Sequence, residues 1–152
     1  MPTRHKSLQA AMRDYVHDLN GADAEMVFEN VVAGCAIIAY ADGWVTPDEE
    51  RRMLGLILGA DALRGFGPAD LAHAFEEATA RFEADHDGAE TKALAAIARL
   101  KGRREHADML MRICCAVAVA DGAFDAEERR AAGRICDALG LNPTAFDLRD
   151  AA

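Results

Sequence analysis

Displaced by 79 positions, the sequence lies over itself: Cys35–Arg51 reads CAIIAYADGWVTPDEER and Cys114–Arg130 reads CCAVAVADGAFDAEERR. Seven of the seventeen positions are identical (Cys35/Cys114, Ala39/Ala118, Ala41/Ala120, Asp42/Asp121, Gly43/Gly122, Glu49/Glu128 and Arg51/Arg130), and most others keep their polarity class. Alanine matches carry little weight in a chain that is about one-fifth alanine. The shared Asp-Gly-x-apolar-x-x-x-Glu frame carries more. It predicts a duplicated helix–turn–helix in an all-α, pseudo-two-fold bundle, with repeat units at about 25–58 and 105–139. A length of 152 residues suits one domain.

The spacing of apolar residues supports helices throughout, and no run alternates as a strand would. Ser7 to Leu19 puts Leu8, Ala11, Met12, Tyr15, Val16 and Leu19 on one face, so 1–20 reads as an N-terminal helix segment. Ala22 to Ala41 becomes apolar all round and predicts a central buried helix. Further helices are expected from Thr46-Pro47 to about Leu58, Pro68 to about Phe82, Ala89 to Leu100, Glu105 to Ala120 and Ala126 to Leu139. Pro68 suits a first helical turn and Gly140 a C-cap. The total is about seven helices.

Charge and cysteine usage exclude several classes. With 17 Lys+Arg against 26 Asp+Glu, the net charge of −9 argues against nucleic acid or anionic lipid as the main partner. Cations and basic protein surfaces stay open. Cys35, Cys114, Cys115 and Cys136 form no C-x-x-C pair and read as small buried hydrophobes in a reducing compartment. The apolar run Val31–Ala41 is far short of the roughly 20 residues that span a bilayer, so the expectation is a cytoplasmic protein without direct membrane insertion.

Chemistry concentrates at the duplicated turns. Gly43 and Gly122 suit helix ends, and Val45 and Phe124 would tuck beneath them. Thr46-x-x-Glu49 and Asp125-x-x-Glu128 have the spacing of capping boxes. Capping accounts for Glu49 and Glu128 but not for Asp42 and Asp121, which face the negative end of a helix macrodipole. Two readings remain open there: turn amides hold these carboxylates, or a hard divalent cation gathers Asp42 with Glu49 or Asp48, and Asp121 with Asp125, Glu127 and Glu128. Oxygen-only ligands favour Ca²⁺ or Mg²⁺ over zinc.

Other motifs fall away. Glu83-Ala84-Asp85-His86-Asp87-Gly88 begins like a calcium loop, but Glu90 and Leu94 occupy the apolar and bidentate-Glu positions of an EF-hand. An acidic inter-helix loop, with Asp87 or a neighbour capping the next helix, is the expected form. The five histidines show no zinc spacing, and no nucleophile elbow or phosphate loop is present. A thiol site at Cys114-Cys115 lacks an adjacent cationic activator in sequence, which also weighs against a thiol-dependent reductase using Cys35 or Cys114. The residues name no reaction, and the expectation is a non-enzymatic protein.

The two Ala-Asp-Gly signatures, Ala39-Tyr40-Ala41-Asp42-Gly43 and Ala118-Val119-Ala120-Asp121-Gly122, each followed by its Glu, resemble the TerB-like family of tellurite-resistance proteins. Phe82 with the acidic stretch through Lys92 and the ending Leu139–Phe146 extend the resemblance over about 25–148. It implies a helical pseudo-two-fold bundle, a role in resistance to tellurite and related stresses, and coupling to a membrane-embedded, TerC-like partner at the inner face of the membrane. The acids the family is proposed to use for metal fall at Asp42, Glu49, Asp121 and Glu128. Where the family is Lys-rich before its first core helix, this chain carries Asp14, Asp18, Asp23 and Glu25.

Overall fold

The structure, a computed structural model, describes residues 21–41, 45–59, 67–120 and 125–146. Those residues form six α-helices and a closing 3-10 turn, with no strand among them. The helices are α1 (Gly21–Ala39), α2 (Pro47–Gly59), α3 (Pro68–Ala84), α4 (His86–Ala98), α5 (Arg104–Ala120) and α6 (Ala126–Leu139); the turn is Pro143–Phe146. The seventh helix expected, Ser7–Leu19, lies outside the described residues.

Helix α1 organises the rest. Val27, Val31, Val32, Cys35, Ala36, Ile37, Ile38 and Tyr40 are all buried, so little of its C-terminal half meets water, and Ala33 and Ala39 are partly buried. β-Branched residues are indifferent helix formers, and tertiary burial decides their conformation here. Helices α3, α4, α5 and α6 all pack on α1, while α2 lies against α3 and α5. Around α1 the core continues through Leu71, Phe75, Ile97, Leu110, Met111 and Ile135. Arg134 of α6 ties across to α4 with two hydrogen bonds to Glu90 Oε1, at 3.0 and 2.7 Å. The Arg112 guanidinium stands 5.6 Å from the Phe146 ring centroid and holds the last turn on α5.

Helix ends follow local chemistry. Pro68 opens α3 as expected, and Gly140 closes α6 in the left-handed region at φ 71°. The acidic stretch after Phe82 departs from expectation. No inter-helix loop exists there: α4 begins at His86, three residues before the expected Ala89, and Asp85 alone separates it from α3. Asp85 is the cap, its Oδ1 accepting from the Gly88 amide at 3.1 Å, and Asp87 sits in the favourable first turn. Asp85→Ala should lower the unfolding free energy by about 1 kcal/mol in a urea titration. Gly88→Ala should fail to stabilise despite alanine's better helix propensity, because its Cβ would overlap the Asp85 carboxylate.

Candidate functional site

The first Asp-Gly turn is approached through Tyr40 at the end of α1. Its ring is buried and stacks on Phe82 of α3, with centroids 5.1 Å apart and planes at 18°. Its hydroxyl donates to Glu83 Oε1 at 3.2 Å. Burial, then the Glu83 carboxylate, then that of Glu50 push the phenol well above its ordinary range. Buried Thr79 lies beside them, its Oγ1 3.1 Å from Glu50 Oε1 and 2.9 Å from the Glu76 carbonyl. Helices α2 and α3 therefore each bring one carboxylate to this end of α1. His86 caps the backbone here: Nε2 lies 2.9 Å from the Tyr40 carbonyl. A carbonyl only accepts, so Nε2 carries the proton, and one orphan carbonyl of the last turn of α1 is satisfied. Val45, on the far side of the turn, is buried as expected.

Asp42, Gly43, Asp121, Gly122 and Phe124 lie outside the described residues, as does the side chain of Glu49. Of the four expected metal ligands, Glu128 is described. Its Oε1 accepts from the Asp125 amide at 3.1 Å while Asp125 Oδ1 accepts from the Glu128 amide at 2.9 Å, the complete capping box that the spacing predicts. Among the described residues no group of three His, Cys, Asp or Glu side chains is arranged to hold a metal ion.

The structure gathers what the sequence scatters in its cysteines. All four are free thiols; Cys35, Cys114 and Cys136 are buried and Cys115 is half-buried. Cys114 of α5 stands beside Cys35 of α1, and these are the two cysteines the 79-residue displacement aligns. The Cys35 thiol beside it, then burial, hold the Cys114 thiol well above the usual thiol range. Burial pushes Cys115 up to about 11, against the pull of Arg112, and Cys136 up to about 12. Only thiolates are nucleophilic, so native protein should alkylate far more slowly than unfolded protein at neutral pH. The rate at Cys115, read by mass spectrometry, should climb about tenfold per pH unit up to about pH 11. Because folding raises these values, the neutral thiols stabilise the fold below about pH 9 and that contribution is lost as pH rises through 11 and 12.

Between α1, α3 and α4 lies a cleft of about 760 Å³, floored by Val32, Ala74, Ala78 and Ala93 and rimmed by Arg81 and Lys92. Sequence periodicity marks Ala78 only as an apolar position of its helix, so nothing in the sequence signals this cleft. The cluster of Tyr40, Glu50, Thr79 and Glu83 was equally illegible, since it joins three helices.

With this geometry in view, comparison with known proteins is decisive. The family described as "Tellurite resistance protein TerB" matches residues 28–151. The chain belongs to the TerB family. The matched span coincides within three residues at each end with the stretch whose motifs resemble it. Among curated relatives, the "Tellurium resistance protein TerB" of an Alcaligenes species is 27% identical over 85 residues, which is 56% of this chain and 70% of that protein. No solved structure matches the chain. Membership of the TerB family associates the chain as a whole with tellurite resistance. No helix among the described residues is long and apolar enough to cross a membrane.

Proposed function

We propose that this TerB-family chain is a non-enzymatic module of tellurite resistance that holds a divalent cation at its duplicated Asp-Gly turns and couples to a membrane-embedded partner. The observation that carries the cation reading is the acidity at the end of α1: Glu83 accepts from the Tyr40 hydroxyl and Glu50 from Thr79 beside it, and Tyr40 precedes Asp42 by two residues. Negative potential there favours a cation beside the Asp42 carboxylate and opposes a bare carboxylate at a helix C-terminus. Carboxylate donors suit Ca²⁺ or Mg²⁺. Asp42 with Glu49, and Asp121 with the second oxygen of Glu128, are the ligands in this reading. Such an ion would supply charge neutralisation and pin each turn to the helix that follows it, making a metal-dependent docking surface. The contact between Cys35 and Cys114 supports a pseudo-two-fold axis passing between α1 and α5.

The Asp125–Glu128 box favours a second reading, an interaction scaffold whose turns are capped without metal and whose acidic face binds a basic partner. Tellurite tolerance separates the two in a resistant host lacking its own TerB gene. The wild-type chain should restore growth on tellurite, and Asp42→Asn with Asp121→Asn should abolish that restoration while leaving protein level unchanged. Undiminished tolerance with both asparagines would leave the scaffold reading standing and remove the cation one. No restoration by the wild-type chain would remove both.

A further inference from the structure

The turn between α4 and α5 carries four cations in six residues: Arg99, Lys101, Arg103 and Arg104, all exposed. Leu100 among them is fully buried. The turn is tight: the Lys101 amide donates to the Ala98 carbonyl at 3.0 Å, the Arg103 amide donates to the Leu100 carbonyl at 2.9 Å, and Gly102 takes φ 91°. With Leu100 anchored inward, Arg99, Lys101 and Arg104 stand exposed around it, while Arg103 Nη1 donates to Met26 Sδ of α1 at 3.4 Å. The Lys101 stem lies along Gly140, with Cε 3.3 Å from where a Cβ would stand, so this turn and the end of α6 form one tip of the molecule. The N-terminus of the 17-residue α5 opens at Arg104 and adds the positive end of its dipole.

The tip is set apart from the other basic residues. Arg112, Arg130 and Arg134 pair with Asp108, Glu127 and Glu90. Arg99, Lys101 and Arg104 have no carboxylate partner among the described residues, although acids outnumber Lys+Arg by 26 to 17. Glu105 is the nearest acid in sequence, and His106 follows it.

We infer that this tip docks electrostatically on the surface of an anionic lipid bilayer. A small anion needs donors converging in a concavity, and a peptide needs a groove; these residues line neither, and the cleft between α1, α3 and α4 is built from others. An exposed cluster that lines neither suits a plane of phosphates. Screening limits the attraction to about 8 Å at physiological salt, so the contact is local to this turn, where four cations outnumber Glu105 and, at the end of α6, Asp137. The net charge averages this tip out, which is why composition alone argues against lipid. The contact requires no insertion, and it stands independently of the cation at the Asp-Gly turns.

Sedimentation with vesicles tests it, using phosphatidylcholine alone and phosphatidylcholine mixed with phosphatidylglycerol. The full chain should bind the mixed vesicles, not the neutral ones, and should be released as salt approaches 1 M, where screening shortens to about 3 Å. Arg99→Gln, Lys101→Gln and Arg104→Gln should each weaken binding by about fivefold, from roughly 1 kcal/mol per cation near the surface. Arg130→Gln, away from the tip, should leave binding unchanged. Equal binding to neutral vesicles, salt-insensitive binding, no binding, or indifference to the tip substitutions would overturn the inference. So would tighter binding to RNA or to polyglutamate than to the mixed vesicles.

Discussion

Replacing Tyr40 by Ala is expected to lower the unfolding free energy by about 3–5 kcal/mol, as deletion of a large buried aromatic ring does. The ring is 1% exposed, stacks on Phe82 and sits where α1, α3 and α4 meet. Its loss opens a cavity and removes the contact that holds the end of α1 against α3. Tyr40→Phe keeps the ring and should cost only about 1 kcal/mol, because Glu83 is exposed and water replaces the lost donor. The phenol also makes a pH prediction. Folding raises it above its usual value near 10, so its contribution is complete below about pH 10 and fades as pH rises through the folded value. Tyr40→Phe should therefore flatten the alkaline fall in stability. Urea titrations at neutral and alkaline pH check both points, and a loss below about 1 kcal/mol for Tyr40→Ala would contradict the packing described.

Gly34→Ala should destabilise by about 1–3 kcal/mol, against the usual gain for that change inside a helix. A Cβ at Gly34 would stand 2.6 Å from Cys114 Sγ and 3.9 Å from Ile135 Cδ1. The sulfur sits on a short, fully buried side chain beside Cys35 and cannot swing aside. Close packing then outweighs propensity. Cys114→Ala in the same chain should relieve the overlap, so the double variant should be more stable than the sum of the single losses by more than about 1 kcal/mol. Stabilisation by Gly34→Ala alone would show that α1 and α5 are not in this contact.

These two sites show which features the sequence could carry. The burial of α1 was legible because its apolar residues encircle the helix. The Asp125–Glu128 box and the Gly140 cap were legible because both are local, made within four residues. The start of α4 was misread, because an acid-rich stretch looks the same as a loop until one of its acids, Asp85, is seen to cap a helix. Contacts between distant segments left no such trace. Nothing local pairs Tyr40 with Glu83, Cys35 with Cys114, or Arg134 with Glu90. The aligned cysteines hinted at equivalence but not at contact. The basic tip was hidden differently, since a whole-chain charge of −9 conceals four cations in six residues.

The cation at the Asp-Gly turns is the centre of the functional account, and calorimetric titration of the pure protein with Ca²⁺ and Mg²⁺ tests it most directly. The account predicts a saturable heat and a rise in melting temperature. At a metal concentration 100 times the dissociation constant the stabilisation is about 2.7 kcal/mol. Both signals should vanish in the Asp42→Asn, Asp121→Asn variant. No heat and an unchanged melting temperature at millimolar metal would contradict it.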